Sequence, residues 1–196
     1  FCQEVASYIP GFPLVKQEIK DAALEQFHVF APPPGDPEIV ALIQRGESPT
    51  LEFKQDVFWD ATAAKLGEKA CWKTVAAFLN TDGGDLLVGV HDEGQIVGLE
   101  PDYPRIKDAR ARNRVGWELA VAQLLINTVT APMMSHVRVT VHKVDGKDVC
   151  RIHVKPSSTP ATVREKNSDS LYVRIGNTTR ALAGDDAAAY IRNHWA

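Results

Sequence analysis

Three acids and one amine carry the strongest chemical signal in the chain: Glu47, Glu52, Asp92 and Lys54. Glu52 and Lys54 are two residues apart in the alternating run LEFKQDV, so on a strand the carboxylate and the ammonium project from the same face. Glu47 lies five residues before Glu52, across a Ser-Pro turn that can fold it back toward that surface. Hard divalent ions such as Mg²⁺ or Mn²⁺ take oxygen ligands, which ionised carboxylates supply, with water and phosphate completing the shell. A lysine beside them could bind a phosphate or stabilise its developing charge. The same residues have plainer uses. An E-x-K triplet on a solvated strand is most often surface charge, and Asp92, in the sequence Asp92-Glu93-Gly94, is a common turn residue that caps its own backbone.

Basic residues form two groups that suit phosphate contacts. Arg105, Lys107, Arg110, Arg112 and Arg114 set five positive charges against one acid, Asp108, within ten residues. If they lead into a helix, Arg110 and Arg114 share a face. Arg174 and Arg180, with Arg164 and Lys166, form a second group, and Tyr172 among them could stack on a base. A solvated helix face is the alternative for the first group, and an ordinary turn for the Asn177-Thr178-Thr179 loop beside the second.

The elements that must hold these residues can be read from spacing. Four prolines within 31–37, APPPGDP, stop both helix and sheet and mark a boundary. Residues 1–36 are therefore an arm and Pro-rich linker, with Val15, Ile19, Ala22 or Ala23, and Phe27 at helical spacing, and 37–196 are the main domain. Asp36-Pro37 starts a helix that buries Ile39, Leu42 and Ile43 and ends near Gly46. The strand LEFKQDV follows, then an amphipathic helix over 63–80 closed by Asn80 and Gly83-Gly84. DLLVGVH is a continuous apolar strand, with QIVGL expected as its hairpin partner across Asp92-Glu93-Gly94. The basic stretch leads into a helix whose expected apolar face is Val115, Leu119, Ala122, Leu125 or Ile126, and Val129. Val137, Val139 and Val141 alternate with His136, Arg138, Thr140 and His142, and Asp145-Gly146 turns the chain into VCRIHV. LYVRIG and a terminal helix capped at Asp185 complete about six strands and four helices. The expected class is α+β, a mixed, mainly antiparallel sheet with helices packed on it.

Composition narrows the partners. The 196 residues are 44% apolar and 24% charged, an ordinary globular mix that excludes disorder, collagen and coiled coil. The formal charge is −3, so any polyanion site is a local patch. Cys2, Cys71 and Cys150 lack zinc or disulfide-scaffold spacing, which suits a reducing, cytoplasmic setting. No membrane span or signal peptide is read, and a start at Phe1 points to a piece of a longer protein. No Walker loop or dinucleotide fingerprint is present, so no nucleotide cofactor is expected. His136, His142 and His153 share a hairpin but are read as exposed or paired, and the four tryptophans as core.

The motifs in order, E-S-x-x-L-E-F-K, then A-F-x-N-T-x-G-G-x-L-L-x-G-V-x-D-x-G, then Y-V-R-x-G-x-T-T-R, resemble the Schlafen/AlbA-like domain of bacterial proteins, related to the nuclease core of animal Schlafen proteins. The resemblance covers roughly 38–192. It implies that Glu47, Glu52 and Asp92 are catalytic acids holding Mg²⁺ or Mn²⁺, with Lys54 beside them, for endonucleolytic cleavage of structured RNA. It also implies an RNA or DNA partner, and pairing of two such lobes as a homodimer. Two functions follow for comparison: a nucleic-acid-binding module with metal-dependent endoribonuclease activity, or a non-catalytic regulatory or assembly domain that binds protein or a small ligand. Acids converging on an open groove flanked by arginines favour the first. Acids spread apart or paired to arginine favour the second.

Overall fold

The structure is a computed structural model that describes residues 35–58, 68–129, 131–165 and 169–195. Residues 1–34 of the expected arm, the start of the helix expected from 63, Trp59 and Lys166 lie outside the described residues.

Helix α1 (Pro37–Arg45) starts as its sequence dictates, with the Asp36 carboxylate accepting from the Glu38 N–H at 3.0 Å and Pro37 occupying the first turn. Strand β1 (Leu51–Lys54) follows, then α2 (Glu68–Leu79), β2 (Gly84–Val88), two short 3₁₀ turns, and α3 (Arg114–Val129). The hairpin β3 (Val137–Val144) and β4 (Lys147–Val154) comes next, then β5 (Thr162–Arg164), β6 (Asp169–Ile175), β7 (Thr178–Leu182) and α4 (Gly184–Trp195). Two sheets result, ordered β1-β2-β4-β3 and β5-β6-β7. The β1–β2 pair is parallel and every other pair is antiparallel, so the class is α+β, as expected.

The four-stranded sheet carries apolar residues on both faces. On one, Leu51, Phe53, Leu87 and Val149 pack against Ile39 and Leu42 of α1. On the other, Leu86, Val88, Cys150 and Ile152 pack against Trp72 and Phe78 of α2 and Trp117, Val121 and Leu125 of α3. Fully burying each such side chain stabilises the fold by roughly 1.5–3 kcal/mol.

Two expectations fail for identifiable reasons. QIVGL is not a strand: it forms a single bridge, Val90 to Ile96, because both edges of β2 are already taken by β1 and β4. Helix α3 buries Trp117, Val121, Leu125 and Val129, whereas Val115 and Leu119 are 64% and 67% exposed. The helix is pinned in that rotation at its start. The Trp117 Nε1–H donates to Asp102 Oδ2 at 3.1 Å, and Gly116 lies so close to the Ala111 carbonyl that a Cβ has no room.

The smaller sheet packs on α2 through Val163 and Tyr172 against Ala76 and Ala77. Asn80, expected only as a helix end, is buried and ties the two parts together. Its Nδ2 donates to the Ala161 and Tyr172 carbonyls, both at 2.8 Å, and its Oδ1 accepts from the Ala161 N–H at 2.8 Å. Among the described residues no helix is long and apolar enough to cross a membrane.

Candidate functional site

Alternation in β1 places Glu52 and Lys54 on one face, as the spacing predicts, on the strand that forms one edge of its sheet. Glu52 is not free to receive a ligand. Its Oε1 accepts from Lys54 Nζ at 2.7 Å and its Oε2 from Arg174 Nη1 at 2.9 Å. Lys54 Nζ also donates to the Phe53 carbonyl at 2.7 Å. Burial alone would lower the Lys54 amine, but the hydrogen bond and charge of Glu52 outweigh it, and the amine titrates above its ordinary value. Cys71 lies near this charge, but burial pushes its thiol up to about 12, so it stays protonated.

Arg174 is the hub. Its side chain is 3% exposed, and it donates to Glu52, to Thr179 Oγ1 at 3.0 Å, to the Ser48 carbonyl at 3.1 Å and to the Pro49 carbonyl at 3.2 Å. The guanidinium also stacks over Phe78, 5.2 Å from the ring centroid. A planar fork is suited to this many partners. Glu47 serves the same corner, its Oε1 accepting from the Phe53 N–H at 2.9 Å. It thereby holds the Ser48–Thr50 turn against β1, where Ser48 and Leu51 form a bridge.

Asp92 is exposed on the turn after β2, which is closed by Gly94 N–H to the His91 carbonyl at 2.7 Å and His91 N–H to the Gln95 carbonyl at 2.8 Å. The His91 ring is used locally, Nδ1 accepting from the Glu93 N–H at 3.1 Å.

The basic stretch does not form a helix face, since 3₁₀ turns occupy Tyr103–Arg105 and Ala109–Ala111 and α3 starts only at Arg114. Three of its arginines are internal ties. Arg105 pairs with the buried Asp102 at 3.1 Å, Arg112 Nε donates to the Ile106 carbonyl at 3.1 Å, and Arg114 binds Glu118 at 3.0 Å and the Val141 carbonyl at 2.7 Å. Lys107, Arg110 and Arg180 are exposed.

A family model described as Schlafen, AlbA_2 matches residues 47–183. The chain belongs to the Schlafen/AlbA_2 family. No curated protein matches it. Among solved structures it is similar to the DIP2311 protein from Corynebacterium diphtheriae, 21% identical with a TM-score of 0.47, over 68% of this chain and 25% of that one. The chain thus spans about a quarter of the length of that protein.

Whether this Schlafen/AlbA_2 domain offers a metal site can be judged from its donors. A divalent ion wants carboxylate oxygens that are uncommitted. Both Glu52 oxygens face cations, one Glu47 oxygen holds a backbone N–H, and among the described residues no three acidic, histidine or cysteine side chains gather closely enough to hold an ion. The arrangement does not fit a three-carboxylate metal centre, and no chemical step is derived through one.

Spacing in the sequence missed a second ionic knot in this Schlafen/AlbA_2 domain, on the sheet face that carries α1. Asp85 of β2 accepts from Arg151 Nε at 2.7 Å and Nη2 at 3.2 Å, and its Oδ1 lies 2.9 Å from His153 Nδ1. Arg151 Nη1 also donates to Glu38 at 2.6 Å. The signal was present in the β3–β4 alternation, which sets Arg138 opposite His153 and Thr140 opposite Arg151 on one face, with His142 on the same face opposite Val149. Its acids come from β2 and α1, which no local pattern connects.

Proposed function

We propose that this domain binds RNA or DNA and does not cut it through Glu47, Glu52 and Asp92. The single observation behind the non-catalytic half is the double ion pairing of Glu52, which commits both oxygens of the most suggestive acid to a structural knot with Lys54 and Arg174. Family membership supports the nucleic-acid half. With a formal charge of −3, binding rests on local cations and should weaken as salt rises, because each phosphate contact releases counterions.

The finer reading, an Mg²⁺- or Mn²⁺-dependent endoribonuclease with Glu47, Glu52 and Asp92 as ligands and Lys54 beside them, requires Glu52 to leave both of its cations. The test is incubation of the purified chain with labelled transfer RNA, single-stranded RNA and single-stranded DNA, in Mn²⁺, Mg²⁺ or EDTA, beside Glu52→Gln. The expected result is salt-sensitive binding with intact substrate in every metal condition. Metal-dependent cleavage that disappears in a folded Glu52→Gln variant would overturn the non-catalytic half and establish the endoribonuclease. Neither binding nor cleavage would overturn the nucleic-acid half in favour of a regulatory or assembly role.

A further inference from the structure

Where α1 ends against the starts of β1 and β2 and the end of β4, the surface opens into a cleft of about 320 Å³. That is the small end of the range for ligand sites, with room for a phosphate and its sugar. Arg45 from the last turn of α1, and His153 and Lys155 from the end of β4, line it, together with the acids Asp82 and Asp85. Arg45 and Lys155 are exposed and carry no ion pair among the described residues, in contrast to Arg105, Arg114 and Arg174.

The acids do not cancel these cations. Asp85 is held by two contacts to Arg151, whose third partner, Glu38, is an exposed and solvated carboxylate, so among the described residues Asp82 is the acid of the cleft with no ion pair against Arg45 and Lys155. The ionised Asp85 carboxylate can only accept, so His153 Nδ1 is the donor of that pair and the ring is locked in one orientation. His153 itself lines the cleft. Register extends the positive surface beyond the cleft. Arg138 is the direct cross-strand neighbour of His153, and the Lys155 N–H donates to the His136 carbonyl at 2.9 Å.

We infer that this cleft is a phosphate subsite, in which Arg45, Lys155 and the Asp85-oriented His153 receive one phosphodiester of a bound nucleic acid strand and Arg138 meets the strand beside it. The identity of the ligand rests on the nucleic-acid reading above, whereas the phosphate chemistry rests on the cleft. The three groups come from two segments brought together by the fold, charge-assisted donors to an anion are the strong ones, and the paired acid beside them fixes geometry without repelling the ligand.

Two measurements on the same samples test this. Inorganic phosphate is titrated into ¹⁵N-labelled protein, following the Gly84 and Lys155 amides and the His153 ring. A labelled single-stranded oligouridylate is titrated at several salt concentrations. The Arg45→Gln/Lys155→Gln double variant is compared with Lys107→Gln/Arg110→Gln, all four being exposed positions whose replacement leaves the fold intact.

Saturable phosphate shifts lost in the cleft variant are expected. The same variant should bind the oligonucleotide about tenfold more weakly, with a log–log salt slope shallower by about 0.7, the value for one phosphate contact on a single strand. The Lys107/Arg110 variant should retain the cleft shifts. Oligonucleotide binding that persists unchanged in the cleft variant, with no phosphate shifts, overturns the subsite and leaves the binding function standing. Phosphate shifts without oligonucleotide binding uphold the subsite for another phosphate ester and overturn the function. Absence of both overturns both.

Discussion

Replacing Arg174 by leucine should destabilise the domain by about 3 kcal/mol, a value that follows from what the guanidinium touches. The side chain is 3% exposed and donates to four oxygens, on Glu52, Thr179, Ser48 and Pro49. Removing one member of a buried ion pair costs roughly 3–5 kcal/mol. The lower end applies because Glu52 is 13% exposed and keeps Lys54, so its charge is not stranded. For a chain of this size the loss corresponds to a fall in Tm of roughly 6–12 °C, at about 2–4 °C per kcal/mol. Urea unfolding of the wild type, Arg174→Leu, Glu52→Gln and the double variant closes a cycle in which the coupling should reach about 1.5–2 kcal/mol, within the range for residues in direct contact. A loss below about 1 kcal/mol with no coupling, at unchanged m-value, would refute the reasoning. It would mean that Arg174 is a surface cation and Glu52 an available ligand. The cycle also guards the nuclease assay, because an inactive Glu52 variant is informative only when shown to be folded.

Three further outcomes are expected. Burial alone would raise the Asp148 carboxyl, but the Tyr103 hydroxyl and Lys143 amine more than reverse it, so the group titrates below its ordinary value. Its contribution is present above the unfolded pKa of about 4 and is lost as pH falls through the folded one, so the wild type should lose more stability between pH 5 and 3 than Asp148→Asn, measured by urea unfolding. In an exposed helix Gly→Ala gains about 1 kcal/mol, but Gly116→Ala should lose roughly 2–3 kcal/mol in thermal unfolding, because the new methyl meets the Ala111 carbonyl, a backbone atom that cannot swing away. Cys71 and Cys150 are buried, with thiols raised by burial, so peptide mapping after iodoacetamide at pH 8 should find both unmodified in native protein and both modified in urea.

Elements governed by local periodicity were legible: the capped α1, the β1 alternation that puts Glu52 beside Lys54, and the Val137–Val154 hairpin. Helix α3 was misread because apolar residues surround it. Val115 and Leu119 obey the helical period as well as Trp117 and Val121 do, and a close approach at Gly116 with one indole hydrogen bond to Asp102 decides between them. Long-range charge pairing was equally hidden. Arg174 looks like a phosphate contact until Glu52, 122 positions earlier, arrives beside it, and Arg105 and Arg114 look free until Asp102, Glu118 and the Val141 carbonyl are placed. The cleft draws on α1, β2 and β4, and no stretch of sequence contains more than part of it.

Asn80 has a consequence for the chain as it is made. Its amide belongs to the end of α2, yet its partners Ala161 and Tyr172 emerge from the ribosome 81 and 92 residues later. For the several seconds that synthesis takes at about 5–20 residues per second, the nascent domain holds a polar group aimed at an interior that does not yet exist, beside the bare Ala76 and Ala77 surface. The four-stranded sheet can form in that interval, because β1 to β4 are complete by Val154. The Ala76 and Ala77 surface of α2 stays wet until β5 and β6 arrive. Shortened forms ending before residue 172 should therefore depend on holdase chaperones in the cell, and the full-length domain should lose that dependence once its last strands are released.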